Sequence, residues 1–167
     1  LTLTKAELVA VLEHGVSLIP GVAGQFPQIS GVKFSYDPDL AEGDRIISAG
    51  IFDENDDLIA ELVRDGEIVG DANQTFRIVT LNFLASGGDG YPFPTGDSVN
   101  RVDLTDLDGD GQDDNQLTGD ATFAADGTEQ DALAEYLLDN FSTPETAFAQ
   151  EDVGRTLDER IQNLNFR

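Results

Sequence analysis

The sequence predicts an α+β fold, a mixed or antiparallel sheet packed with helices. Three observations carry that reading: an amphipathic helical stretch near the start, a series of short alternating runs after it, and a hairpin signal between two of those runs. Thr4 and Glu7 have capping-box spacing, so a helix is expected from Lys5 to about Val16. Leu8, Leu12 and Val16 fall on one face, and Val9 and Val11 widen the stripe. His14 then sits near the helix C-terminus as a packed or dipole-facing side chain. Val32, Phe34 and Tyr36 alternate with Lys33 and Ser35, the mark of a half-buried strand stopped at Asp37-Pro38. Residues 45–52 and 58–63 read as further strands, and Asp65-Gly66 joins 61–63 to 67–69 as a hairpin. A buried strand is expected over 75–81. A second helix follows Thr128, from Glu129 to about Asn140, burying Leu133, Leu137 and Phe141 with Ala134 and Leu138 beside them. In the tail, Phe148, Val153, Leu157 and Ile161 are expected to dock the chain back onto the domain, in part as a short strand.

Composition narrows the function. The chain of 167 residues is long enough for one domain with its own core, and 40% of it is apolar. No run approaches the roughly 18 apolar residues of a membrane span. There is no methionine, which points to a piece of a larger protein. Thirty-three acidic residues against 9 basic ones give a net charge of −24, a field that repels nucleic acid and anionic membranes and suits a marine, halophilic or secreted setting. With no cysteine and one histidine, thiol catalysis, Cys-based zinc sites and His-rich metal sites are excluded.

Two stretches carry chemistry. Residues 82–92, Asn-Phe-Leu-Ala-Ser-Gly-Gly-Asp-Gly-Tyr-Pro, place three glycines around Asp89 with aromatic residues at 83 and 91. Glycine lets a ligand approach the backbone, a carboxylate in such a turn can accept two hydrogen bonds from a diol, and a flanking ring can stack on a flat base. The plainer alternative is a strand-to-loop turn whose aromatics pack inward. The second stretch lies in an acidic segment: between Asp97 and Asp131 there are 11 acidic residues and one basic residue, Arg101. Too poor in apolar residues for a core of its own, the segment over 97–127 reads as a surface insert within a single domain, 1–167. Numbered as a calcium loop, Asp106, Asp108 and Asp110 take positions one, three and five. Gly111 takes the turn, Gln112 offers its carbonyl, and Asp114 falls at nine. Leu117 stands where a bidentate glutamate is usual, so the loop departs from an EF-hand, and a merely solvated acidic loop is the alternative to Ca2+. Asp103, Asp113 or Asp120 could supply further carboxylates.

A set of motifs in order ties the first part of the chain together. Residues 3–8 (Leu-Thr-Lys-Ala-Glu-Leu) precede 12–16 (Leu-Glu-His-Gly-Val), followed by 26–37 (Phe-Pro-Gln-Ile-Ser-Gly-Val-Lys-Phe-Ser-Tyr-Asp), 43–46 (Gly-Asp-Arg-Ile) and 82–91. Together they resemble the C-terminal domain of the 5′-nucleotidase family, which includes UDP-sugar hydrolases and cyclic-nucleotide phosphodiesterases. Residues 158–161 (Asp-Glu-Arg-Ile) are a weaker echo where that domain ends.

The resemblance implies a substrate-binding role in a phosphoric monoester hydrolase of the 5′-nucleotidase type. In that family a separate N-terminal metallophosphatase domain carries a dinuclear divalent metal centre and hydrolyses the phosphoester. The C-terminal domain grips the nucleoside and rotates to deliver it. Carried across, Phe83 is one of two rings sandwiching the base, Asp89 hydrogen-bonds the ribose hydroxyls, and Gly87 and Gly88 belong to the same binding loop. The second ring and the phosphate-binding residues precede the position of Leu1, so this chain is not expected to be catalytic alone. His14 matches a position the family does not use for chemistry. The implied partners are a nucleotide or nucleoside and the N-terminal domain, with a secreted, periplasmic or bacterial cell-surface location. The alternative is a calcium-binding structural or interaction module on the same scaffold, without nucleotide hydrolysis; a phosphatase with a broader range of phosphoesters is a third reading.

Overall fold

The protein is described from a computed structural model, in which residues 1–148 and 159–165 are described. A short strand, β1 (Thr2–Thr4), runs directly into helix α1 (Lys5–Val16). The capping box forms as its spacing predicts: the Glu7 N–H donates to the Thr4 hydroxyl at 3.2 Å, and the Thr4 N–H donates to Glu7 Oε2 at 2.8 Å. Four further strands follow, β2 (Val32–Tyr36), β3 (Ile46–Phe52), β4 (Leu58–Arg64) and β5 (Glu67–Ile68), then β6 (Thr75–Arg77), a one-turn helix α2 (Asn82–Ala85), α3 (Glu129–Phe141) and β7 (Ile161–Asn163).

The larger sheet has five strands in the order β5-β4-β3-β2-β7. Its pairs are antiparallel except β2 with β7, so the sheet is mixed. Asp65 and Gly66 turn the β4–β5 hairpin with φ values of 52° and 82°. Both central residues being left-handed is what a two-residue turn needs to match strand twist. One face of the sheet packs on α1. Leu8, Leu12 and Val16 from the helix meet Phe34, Tyr36, Ile46, Leu62 and Val63 from the strands, with Leu3 and Tyr91 in the same cluster. Each fully buried Leu or Val there contributes about 1.5–3 kcal/mol.

Buried charges fix the helix to the sheet. Glu13 accepts hydrogen bonds from the Arg45 and Ile46 N–H groups at 3.0 and 2.7 Å. Arg45 Nη1 donates to the carbonyls of Val16, Ser17 and Ile19 at 2.6, 2.7 and 2.8 Å, so one guanidinium gathers the carbonyls at and just beyond the C-terminal end of α1. At the other end, Lys5 Nζ donates to the carbonyls of Glu61 and Val69 at 3.0 and 2.6 Å and joins the helix start to the hairpin.

Two expectations need correction. The strand expected over 75–81 is three residues long and pairs only with β1, Leu3 opposite Phe76. Phe76 and Ile78 pack on the core, but Val79 and Leu81 are 79% and 44% exposed. Backbone pairing continues one residue beyond the strand, where Leu1 N–H donates to the Ile78 carbonyl at 3.0 Å and Ile78 N–H to the Leu1 carbonyl at 2.9 Å. Helix α3 is capped by Thr128 as expected, with the Asp131 N–H donating to its hydroxyl at 3.2 Å. Its apolar side chains are not buried, however: Leu133 is 59% exposed and Leu137 and Leu138 are also exposed, while Asp131 is the one buried residue of this helix.

The chain divides into two compact units, Leu1–Arg101 with Thr156–Arg167, and Val102–Arg155. In the second, the buried apolar residues among those described are Ala121 and Ala124. Phe148 is exposed, its ring edge-on to Phe141 at 5.6 Å. The tail strand expected around Ile161 is β7. The docking expected of Val153 and Leu157, and Asp158 of the terminal echo, lie outside the described residues.

Candidate functional site

The glycine-rich stretch folds as a short helix followed by a tight turn. The backbone closes on itself: Ser86 N–H donates to the Asn82 carbonyl at 3.0 Å, Gly87 N–H to Leu84 at 2.9 Å, and Gly90 and Tyr91 N–H to Gly87 and Gly88, both at 3.2 Å. Gly87, at φ 88°, makes the left-handed bend that ends the helix. Asp89 is also left-handed, at φ 52° and ψ 20°, a region that Asp tolerates better than most residues.

Two residues pin this loop to the core. Ala85 is buried with Leu1 and Val99. Tyr91 is buried as well: its hydroxyl donates to the Gln25 carbonyl at 2.5 Å, its ring stacks on Phe93 at 5.7 Å, and it meets the edge of His14 at 4.8 Å. Burial, and then the negative charge of Asp89, raise the Tyr91 hydroxyl above its ordinary pKa. Of the two aromatic residues, Tyr91 is therefore a wall of the loop. Phe83 is different. It is 59% exposed, and its ring lies over Gly88. A Cβ at residue 88 would stand 2.5 Å from Phe83 Cδ1 and 2.6 Å from Cζ.

Asp89 is exposed, and its carboxylate takes no hydrogen bond among the described residues, while its carbonyl lies 2.8 Å from His14 Nε2. An open ring face and an open carboxylate thus stand six positions apart on one anchored loop. Such a pair can offer stacking to a planar group and two acceptor oxygens to neighbouring hydroxyls. His14 lies in the last turn of α1 as its sequence position suggests. Its hydrogen bond to a residue 75 positions away is invisible to local pattern.

In the second unit, the acidic loop is held by its own carboxylates. Asp106 accepts from the Gly109 and Gly111 N–H groups at 2.8 and 2.9 Å, and Asp108 from Asp110 N–H at 3.0 Å. Asp114 Oδ2 accepts from the Leu107 N–H at 2.6 Å. One carboxylate oxygen each from Asp106, Asp108 and Asp114 lie within 4.8 Å of one another. Asp110 stands outside this trio; its Oδ1 accepts from the Gln112 N–H at 2.9 Å and its Oδ2 from the Gln112 side-chain amide at 3.3 Å. Two oxygens bound to one Ca2+ at 2.3–2.6 Å stand at most about 5 Å apart, so the trio has the right spread for that ion.

Comparison with known proteins accounts for the first unit. Residues 1–96 match the family model described as 5′-nucleotidase, C-terminal domain. The chain is 32% identical over 89 residues to the trifunctional nucleotide phosphoesterase protein YfkN of Bacillus subtilis (strain 168), an alignment covering 53% of this chain and 6% of that protein. It is 40% identical over 93 residues to an apyrase of Tabanus yao, covering 53% of this chain and 16% of the apyrase. Among solved structures, the 5′-nucleotidase precursor from Thermus thermophilus superimposes with a TM-score of 0.55 at 25% identity, over 99% of this chain and 25% of that one. The chain spans a small fraction of the length of each of these proteins. The capped helix, strands β1 to β6 and the glycine-rich loop all fall within residues 1–96, and the chain belongs to the 5′-nucleotidase C-terminal domain family.

Proposed function

We propose that this chain is the substrate-binding part of a secreted or cell-surface 5′-nucleotidase-type metallophosphoesterase. Phe83 stacks on the base of a nucleotide and Asp89 accepts hydrogen bonds from the ribose hydroxyls, with Gly87 and Gly88 shaping the loop between them. Hydrolysis falls to a separate N-terminal domain of the same polypeptide, whose dinuclear metal centre would supply the Lewis-acid chemistry of phosphoester hydrolysis. The observation that carries this reading is the exposed Phe83 ring seated on Gly88, six residues before the exposed Asp89 carboxylate on a loop that Tyr91 anchors. A ring with only a packing role would sit as Tyr91 does. The names of the relatives, a nucleotide phosphoesterase and an apyrase, fit a nucleotide as the substrate class.

The test is Phe83→Ala in the full-length protein. Base–aromatic stacking is worth about 1–3 kcal/mol, so KM for a nucleoside 5′-monophosphate should rise about 5- to 150-fold with kcat little changed. An unchanged KM would return Phe83 to the role of a surface aromatic.

A second reading rests on the carboxylate trio: the acidic segment takes up Ca2+ through Asp106, Asp108 and Asp114, with Asp110 and the Gln112 carbonyl as further donors. Unliganded, carboxylates this close repel one another by about 1 kcal/mol per pair even at the dielectric of water. Calcium then either pins a segment appended to the substrate domain or, in the stronger form, makes the chain a structural or interaction module without nucleotide hydrolysis. The exposed Phe83 and Asp89 favour the weaker form.

A further inference from the structure

We infer that His14 is a positioning residue for the ribose-binding carboxylate, acting through the Asp89 carbonyl; this rests on the reading of Asp89 given above. A carbonyl oxygen only accepts, so the 2.8 Å contact requires a proton on His14 Nε2 and fixes which ring nitrogen carries it. The bond holds the peptide plane that follows Asp89. With that plane held, and the turn before it closed by Gly90 N–H on the Gly87 carbonyl, ψ of Asp89 is restrained, and so is the direction in which its Cα–Cβ bond leaves the backbone. The control matters because Asp89 is in the left-handed region, at φ 52°, a conformation that costs free energy and that the imidazole bond helps to hold.

The surroundings of the imidazole support the same role. Tyr91 meets the ring at 4.8 Å, and a Cβ on Gly90 would stand 3.3 Å from His14 Cε1, so the loop is closed tightly over the histidine on both sides of the hydrogen bond. The loop's other backbone bonds, Gly90 to Gly87 and Tyr91 to Gly88, are internal to it. The imidazole bond ties residue 89 itself to α1, and α1 is in turn locked to the sheet through Glu13 and Arg45. A rigid helix therefore sets the aim of an exposed carboxylate, which is how a site on a loop acquires precision.

The experiment compares a ribonucleoside 5′-monophosphate with its 2′,3′-dideoxy analogue as substrates of the full-length protein. His14→Phe keeps a ring against Tyr91 and withdraws the donor. His14→Gln returns an amide nitrogen near the place of Nε2. With His14→Phe, KM for the ribonucleotide should rise about 5- to 10-fold, kcat should stay within about twofold, and KM for the dideoxy analogue should not move. The preference for the ribose should therefore collapse, and His14→Gln should restore most of it. Should His14→Phe fail to fold, His14→Asn, too short to reach Asp89, carries the same comparison against His14→Gln. Equal losses for both substrates would mean that His14 supports only the fold, and no loss for either would mean that Asp89 holds its aim unaided; each overturns the inference. Asp89→Ala in parallel separates the levels. If it removes the ribose preference while His14→Phe does not, the inference fails alone. If Asp89→Ala keeps the preference, the reading of Asp89 fails and takes the inference with it.

Discussion

The Phe83 ring rests on the Cα of Gly88, where a side chain as small as a methyl group would stand 2.5 Å from ring atom Cδ1. Gly88, unlike Gly87 and Gly90, does not use a left-handed φ. Its lack of a side chain serves the ring alone. Gly88→Ala should therefore be accommodated by the backbone, with a stability change under about 1 kcal/mol, while the exposed ring swings away from its seat. The expected outcome is a KM for nucleoside monophosphates raised about fivefold or more at nearly unchanged Tm. An equal KM would show that the stacking face does not depend on this seat.

Legibility in the sequence followed the range of each interaction. The Thr4–Glu7 box and the Asp65-Gly66 turn were readable because both are completed within a few residues. The periodicity of α3 told which side chains share a face but not that a partner exists to cover them, and Leu133 and Leu137 remain exposed. The 75–81 run overreached in the same way, since apolar residues in a row do not tell whether each is covered, and Val79 and Leu81 are exposed. In the glycine-rich loop, the proposed roles of Phe83 and Asp89 come from the motif they complete, and both side chains are exposed. Tyr91 is the wall residue that its place in the motif suggests, but its bond to the Gln25 carbonyl and the grip of His14 on Asp89 depend on residues far away in sequence.

The acidic loop makes its own prediction. With three carboxylate oxygens inside 4.8 Å and the affinity of about 10⁻⁴–10⁻³ M usual for extracellular calcium modules, 10 mM Ca2+ should stabilise the fold that holds it by about 1.4–2.7 kcal/mol. Net charge of −24 means that any salt relieves repulsion, so Mg2+ at equal concentration is the control. Mg2+ demands near-octahedral geometry and gives up its water reluctantly, so it should stabilise less. Asp106→Asn should abolish the difference between the two ions in thermal unfolding. Equal stabilisation by Ca2+ and Mg2+, insensitive to Asp106→Asn, would leave screening as the whole effect.

Tyr91 ties stability to pH at the alkaline end. Burial and the nearby Asp89 charge raise its hydroxyl above the ordinary value of 10.0, so the folded protein holds the proton where the unfolded chain has released it. Between those two values the unfolded state binds fewer protons than the native state, and stability falls as pH rises. The contribution is thus fully present below about pH 10 and is lost as pH climbs through the raised folded value. At pH 8, Tyr91→Phe should cost about 1 kcal/mol, because the Gln25 carbonyl loses the donor that now sits at 2.5 Å. At pH 11 the wild type has lost part of its advantage, so the gap in urea midpoint between the two proteins should shrink. The subtraction matters, since every other alkaline contribution is common to the two proteins. A gap constant from pH 8 to pH 11 would mean that the Tyr91 hydroxyl ionises alike in the folded and unfolded chain.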